Sequence, residues 1–427
     1  MKLAVSKSRL KGTVAIPGSK SHTIRAVAIA SLAEGRSTIR NPLISSDTLS
    51  AVACYKALGA EIDTSDAGCW LVTGTGGKIK PPAETIDVGN SGTTLRVAIG
   101  SAALAPLGQA ITFTGDEQIR TRPIGPLLDA LNELGAMCKS INNNGKPPVT
   151  IAGQLKGGRT TIAAATSQYL SSLLLCTPLA KNDTEINVTL LNEPGYVQMT
   201  LDWLDKQNIE YQNRNFRNFK IKAGQSYSAF DLAIAADFSS ATFFLCAAAL
   251  IGDEVTLTGL DFTDSQPDKA VVDYLRQMGA DITVNPDSVV VRAAELTGTE
   301  LDLNATPDAL PAIAVTAAFA KGQTRLVNVP QARTKETDRI ACMAQELKKL
   351  AVKVEELPAG LIIDQSNPIP SDRLDGRSDH RIIMALSLAG LALEGKTTID
   401  TAEAINVTFP NFVKRMTGIG ANMKTTE

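Results

Sequence analysis

The sequence predicts an α/β protein assembled from six copies of one unit, and three observations carry that prediction. Six short polar clusters each stand just before an apolar run of helix length. A glycine, or a residue in its place, ends a second helical stretch further along each copy. The interval between equivalent points is roughly seventy residues, so the 427-residue chain holds six copies. Each copy reads strand, polar turn, buried helix, Gly, strand, loop, amphipathic helix, Gly, strand.

The polar clusters are Pro17-Gly18-Ser19-Lys20-Ser21, Gly89-Asn90-Ser91-Gly92-Thr93, Thr166-Ser167-Gln168, Asp237-Phe238-Ser239-Ser240, Thr306-Pro307-Asp308 and Ser378-Asp379-His380-Arg381. The apolar runs behind them are 26–32, 95–104, 170–175, 242–251, 310–319 and 382–393. Ser, Thr, Asn and Asp at these places are N-cap residues, and the helix starts they cap carry unpaired N–H groups and partial positive charge. Six such starts at a regular interval point to one surface suited to anions.

The far ends of the units repeat as well. Leu58-Gly59-Ala60, Leu134-Gly135-Ala136, Met278-Gly279-Ala280 and Ile419-Gly420-Ala421 read as helix ends with a left-handed glycine. Gln207-Asn208 and Leu350-Ala351 fill the two remaining places, Asn being a fair substitute for Gly.

A chain of this length exceeds the roughly 250–300 residues that one core usually serves, so the six copies group as three and three. A polar stretch over 212–218, then Gly224-Gln225-Ser226, marks the middle before the fourth copy opens at Phe230. The first strand is set apart from its own copy by Pro17-Gly18.

Composition narrows the function classes. A formal charge of −2, with two Trp and six Tyr, offers neither the basic surface nor the stacking platform of a nucleic-acid binder. Six cysteines without a CxxC pair and only two histidines argue against a structural zinc site, and such scattered cysteines read as reduced core residues. No run reaches the length of a membrane span, and the first residues lack a signal-peptide core, so no membrane partner and a cytoplasmic location are expected.

The charged residues are unusual in where they stand. Lys20, Arg25, Arg96 and Arg381 lie close to helix starts, where the dipole opposes a cation. Arg120 and Arg122 add to them, as do Lys335 and Arg339 in Arg333-Thr334-Lys335-Glu336-Thr337-Asp338-Arg339. Taken singly, each reads as a solvated surface charge. Together they cost stability unless anions are expected among them, and Arg grips phosphate or carboxylate with two hydrogen bonds. Asp308 and Glu336 supply groups for proton transfer, although Asp308 alone reads equally as a helix cap and Glu336 as half of a surface ion pair.

These segments carry a resemblance. Pro17 to Arg25, Gly89 to Arg96, Arg122-Pro123 and Arg333 to Arg339 resemble the signature segments of the 5-enolpyruvylshikimate-3-phosphate synthases, within the enolpyruvyl transferases. Thr166-Ser167-Gln168, Pro307-Asp308-Ala309, Asp379-His380-Arg381 and Thr408-Phe409-Pro410 match in the same order, so the likeness spans the chain. It implies a two-domain inside-out α/β barrel of six βαβαββ repeats, three per domain. One domain would join residues 1–19 to 232–427, the other would be 20–231, with the active site in the cleft between them.

The resemblance also implies transfer of the enolpyruvyl group of phosphoenolpyruvate to the 5-hydroxyl of shikimate 3-phosphate, with release of phosphate. Lys20, Asp308 and Glu336 would be catalytic: Asp308 accepts the hydroxyl proton and Glu336 protonates the methylene carbon, with Lys20 assisting. Shikimate 3-phosphate would be held by Lys20, Ser21, Arg25, Thr166, Ser167, Gln168, Tyr196, Asp308, Gln331 and Lys335. Phosphoenolpyruvate would be held by Lys20, Asn90, Gly92, Arg122, Gln168, Glu336, Arg339, His380 and Arg381. No metal, no cofactor and a monomer are expected, with the two small-molecule substrates as the only partners. Since Gly92 is kept, glyphosate is expected to compete with phosphoenolpyruvate.

Four positions depart from the family pattern. Val407 stands where many members have a lysine, Gln331 where Asn is frequent, and Val97 where Pro often follows the arginine. Asn192-Glu193-Pro194-Gly195 differs from a stretch that usually contains Ser, which leaves Glu193 without a role. Two alternatives remain at this point: the sister transferase acting on UDP-N-acetylglucosamine, and a non-catalytic repeat protein that binds anions. The first usually has a cysteine in the loop that here reads Gly115-Asp116-Glu117-Gln118-Ile119.

Overall fold

The computed structural model describes residues 1–427. The chain divides into two compact units, Gly18–Ile234 and the combination of Met1–Pro17 with Ala235–Glu427. Three small sheets belong to each unit, one per copy of the repeat.

The third copy shows the plan. Strand Gly158–Ala164 leads to the core helix Ser167–Cys176, and strand Thr184–Leu191 follows. Helix Pro194–Lys206 and strands Tyr211–Arg214 and Asn218–Ile221 complete it. The first two strands pair in parallel across their helix, and the fourth strand lies antiparallel between the second and third. The second and fifth copies, opening at Ile86–Asp87 and Glu300–Asp302, have the same strand order.

The remaining three copies each take one strand from a distant part of the chain. The first copy takes its opening strand from Asp231–Ala233, parallel to Arg36–Arg40. The fourth takes Leu10–Ala15, parallel to Gly252–Thr258. The sixth takes its last strand from Lys2–Ser6, which lies between Lys396–Ile399 and Asn422–Thr426, and its opening strand shrinks to a single bridge, Leu374 to Ile399. The two N-terminal strands therefore serve copies encoded after residue 235. Strand Leu10–Ala15 stops just short of Pro17-Gly18, and a β-carbon at position 18 would lie 2.3 Å from the Asn41 carbonyl oxygen. Only glycine passes there.

Each core helix is apolar on every side and is buried accordingly. The first, Lys20–Leu32, is buried at every residue from 22 to 32. The fourth, Phe238–Ile251, is buried through residue 249. Within a unit the core helices pack on one another and the sheets cover them outside. The second (Gly92–Ala102) and third approach closely at Gly100, where a β-carbon would meet Ser172 Oγ at 2.5 Å. Phe409, of the Thr408-Phe409-Pro410 motif, packs against Phe244 and Phe412 at centroid distances of 5.9 and 5.8 Å. Deleting such a buried ring costs about 3–5 kcal/mol, so this part of the motif serves the core.

The helix ends follow the sequence reading. Gly59, Gly135, Gly279 and Gly420 have φ between 94 and 108°, and Asn208 and Ala351 sit at 55 and 60°. Ala351 keeps the left-handed position without glycine, at a cost of roughly 1–2 kcal/mol. All six cysteines are free, and four are buried. Burial pushes the thiols of Cys54, Cys138, Cys176 and Cys246 well up, which makes them inert. No helix is long and apolar enough to cross a membrane.

Candidate active site

Four of the six polar clusters cap as the sequence suggests. Ser19, Thr166, Asp237 and Asp379 accept from the backbone N–H of His22, Gln168, Ser240 and Arg381. The other two correct that reading. Ser91 makes no cap bond and donates instead to Thr94 Oγ1, and neither helix start behind Thr306 has a side-chain cap. Asp308 does not cap. Its carboxylate is committed elsewhere.

In the unit Gly18–Ile234, contacts link three copies into one patch. Lys20 Nζ donates to Asp47 Oδ2 at 3.0 Å, and the Asp47 carbonyl accepts from Thr94 Oγ1 at 3.4 Å. Next to it, Thr93 Oγ1 accepts from Gln168 Nε2 at 3.1 Å. Thr166 and Ser167 donate to Glu193, and Tyr196 lies one turn further along that helix. Arg25 closes the circuit: it donates to the carbonyls of Tyr196 (2.9 Å) and Ser21 (3.0 Å), and to the hydroxyls of Thr200 (2.9 Å) and Ser171 (3.4 Å).

All four of those acceptors are neutral, yet Arg25 is buried. Burial lowers its pKa to about 10, against a smaller opposing effect of Tyr196. A buried cation among neutral oxygens gains most from an incoming anion. Gly92 opens a second space for one. A β-carbon there would lie 2.3 Å from Arg122 Nη1 and 2.6 Å from Arg96 Nη1, so the bare backbone lets both guanidiniums close on the helix start. The Asn90 amide donates to Asp116 Oδ2 (2.7 Å) and Gln118 Oε1 (2.6 Å).

The other unit gathers three cations and three carboxylates. Arg339, 1% exposed, donates to Asp379 (2.9 and 3.2 Å), to Asp308 Oδ1 (2.8 Å) and to Glu336. Arg381 Nη2 reaches Asp308 Oδ2 at 3.0 Å and Ser239 Oγ at 2.8 Å, and Lys335 Nζ stands 4.0 Å from Asp308. Ser239, Asp308 and Arg381 come from the fourth, fifth and sixth copies, so the three helix starts of this unit converge.

Electrostatics follow from that count. Burial pushes Asp308 up, but Arg381, Lys335 and Arg339 outweigh it and hold the carboxyl well below the usual range. Burial likewise opposes ionisation of Asp379, and Arg339 overcomes it. His380 goes the other way: burial lowers it to about 3, so its imidazole is neutral. Its Nε2 has no hydrogen-bond partner. Gln331 lies outside the ion cluster, its amide donating to the Asn304 carbonyl at 2.8 Å and its Oε1 unpartnered.

Sequence reasoning missed three residues of these patches. Asp47 holds Lys20. Asp379 holds Arg339 as well as capping its helix. Glu193 was left without a role, although it is nearly fully buried. No motif announces Asp47, which lies 27 residues from its partner.

The family model for EPSP synthase (3-phosphoshikimate 1-carboxyvinyltransferase) matches residues 5–416. The chain belongs to the EPSP synthase family. It is 54% identical to a 3-phosphoshikimate 1-carboxyvinyltransferase of Acetivibrio thermocellus, covering 100% of both chains. It is 49% identical to the enzyme of that name from Ruminiclostridium cellulolyticum, over 99% of this chain and 100% of the relative. Among solved structures it resembles the EPSP synthase of Acinetobacter baumannii, with a TM-score of 0.84 and 26% identity over the whole of both chains. The enolpyruvyl transferase NikO of Streptomyces tendae shares the fold, with a TM-score of 0.81 at 19% identity over 100% of this chain and 98% of that one. The family's two-domain α/β fold is therefore the fold of this chain.

Proposed function

We propose that this protein transfers the enolpyruvyl group of phosphoenolpyruvate to the 5-hydroxyl of shikimate 3-phosphate, releasing phosphate. The observation that carries the reading is the full-length family match, joined to two patches in which cations and carboxylates meet at helix starts. The two substrates bring four anionic groups, a carboxylate and a phosphate each, and assembling them requires such a concentration of positive charge.

Roles follow from chemistry. Arg25, Thr166, Ser167 and Lys335 suit the phosphate of shikimate 3-phosphate, with Ser21, Gln168, Tyr196 and Gln331 shaping its site. Gly92, Asn90 and Arg122 in the one unit, and Arg339, His380 and Arg381 in the other, suit phosphoenolpyruvate. Asp308 accepts the hydroxyl proton as the oxygen attacks the enol carbon, and Glu336 delivers a proton to the methylene carbon. The tetrahedral adduct then loses phosphate and a methyl proton, which restores the double bond.

The ion cluster fits this cycle. Asp308 is a weak base while three cations hold it. An arriving carboxylate competes for Arg339 and Arg381, and each contact withdrawn from Asp308 raises its basicity where a base is needed. We take the working protein to be a cytoplasmic monomer that acts on these small molecules and does not bind nucleic acid.

The direct test is phosphate release when the two substrates are mixed with the protein. Release is expected only with both present, and none when UDP-N-acetylglucosamine replaces shikimate 3-phosphate. Release from phosphoenolpyruvate with the nucleotide sugar, and not with shikimate 3-phosphate, would favour the sister activity. Tight binding without release would leave an anion-binding protein.

A further inference from the structure

In the third copy the start of the core helix Ser167–Cys176 is already occupied, by the protein itself. Glu193 is 1% exposed. Its Oε2 accepts from Ser167 N at 3.2 Å, Ser167 Oγ at 2.6 Å and Thr166 Oγ1 at 3.3 Å. Those donors stand where the helix carries unpaired N–H groups and partial positive charge. They are also the donors assigned above to the substrate phosphate.

The neighbouring turn holds the carboxylate there. Asn192 Nδ2 donates to the Ala165 carbonyl and Asn192 N to the Ala164 carbonyl, each at 3.1 Å. Glu193 then turns through a left-handed conformation, φ 57°, immediately before Pro194 opens the next helix. A carboxylate serving only solubility would point outward from this surface; this one is folded inward on to two hydroxyls and a backbone N–H.

We infer that Glu193 is a built-in competitor for the phosphate subsite: its carboxylate fills the place until the phosphate of shikimate 3-phosphate displaces it, and it thereby sets the affinity for that substrate. The inference rests on the reading of the preceding section. Two anions cannot share one oxyhydroxyl pair at hydrogen-bond distance, because the second would be held against the repulsion of the first. Weakening the internal anion therefore tightens the external one.

The test uses the full chain with Glu193→Gln and Glu193→Ser. Hydrogen bonds to a charged group contribute about 1 kcal/mol more than neutral ones, which corresponds to roughly fivefold in affinity. Calorimetric titration with shikimate 3-phosphate alone is expected to give a Kd about fivefold lower in the Gln variant than in the parent. KM for this substrate should fall in parallel, with kcat changing less. Inorganic phosphate should raise the melting temperature of the Gln variant more than that of the parent. A purely structural cap predicts the opposite sign, since its loss loosens the turn and raises Kd, and an unchanged or raised Kd in both variants overturns the inference. If the Gln variant does not fold, the Ser variant carries the same comparison. Titration without phosphoenolpyruvate reads the competition even if the parent proves unable to release phosphate, so the two claims fail separately.

Discussion

His380 gives the most quantitative expectation. Burial lowers its imidazole to about 3, with Asp379 and Glu336 acting upward and Arg381 and Arg339 downward. In the unfolded chain the same group titrates near its ordinary value of 6.5. A lowered histidine binds its proton more readily when unfolded, so acid favours unfolding. Stability is thus fully present above pH 6.5 and drains as pH falls from there towards 3. At pH 5 the gap amounts to about 1.5 pH units of differential proton binding, or about 2 kcal/mol relative to pH 7. The shifted carboxylates Asp308 and Asp379 do not interfere. Their values are lowered from 3.8, so their contribution is lost only at still lower pH. The assay is urea unfolding at pH 7 and pH 5, on the parent and on His380→Asn, following the transition of the unit that contains residue 380. The parent should lose about 2 kcal/mol between the two conditions and the variant far less. An equal loss in both proteins would refute the reasoning.

The remaining expectations concern turnover. Lys20→Met removes both a substrate contact and a proton-transfer group, so kcat should fall by orders of magnitude, on the scale of about 10²–10⁴ for a lost acid–base group, and the thermal midpoint should fall as well because Asp47 loses its counter-charge. Asp308→Ala should reduce kcat with the fold intact, as read by steady-state kinetics and circular dichroism; near-normal turnover would remove it as proton acceptor. Asp47→Asn keeps the hydrogen bond to Lys20 but not the charge, and should lower kcat more than it raises either KM, with the pH–rate profile shifted. Gly92→Ala places a carbon against Arg122 and Arg96, so KM for phosphoenolpyruvate should rise and glyphosate, expected to compete with that substrate, should bind more weakly.

Much of this architecture was legible because the repeat writes its own punctuation. A left-handed glycine at 59, 135, 279 or 420 requires no partner elsewhere in the chain to be recognised. Strand alternation alone hid the exchange, because a strand such as Leu10–Ala15 has the same pattern whichever sheet it joins, and only the family resemblance grouped residues 1–19 with the later half of the chain. Pro17-Gly18 signalled that something is interrupted but not where the strand goes. At the candidate site, the arginines stood out by opposing the helix dipole. The carboxylates that hold Lys20 and Arg339 did not: Asp47 and Asp379 are acidic residues at helix starts, where an ordinary cap would look the same. Glu193 lies in a stretch that reads as unlike the family pattern, and only its burial against Thr166 and Ser167 gives it a role.

The most direct measurement follows both products of one reaction. Shikimate 3-phosphate and phosphoenolpyruvate are mixed with the parent protein, and phosphorus NMR follows inorganic phosphate and the enolpyruvyl ether together. The account requires the two to appear at equal rates, and both to slow together in Lys20→Met and in Asp308→Ala. Phosphate without the ether, or ether formation undiminished in both variants, would contradict it.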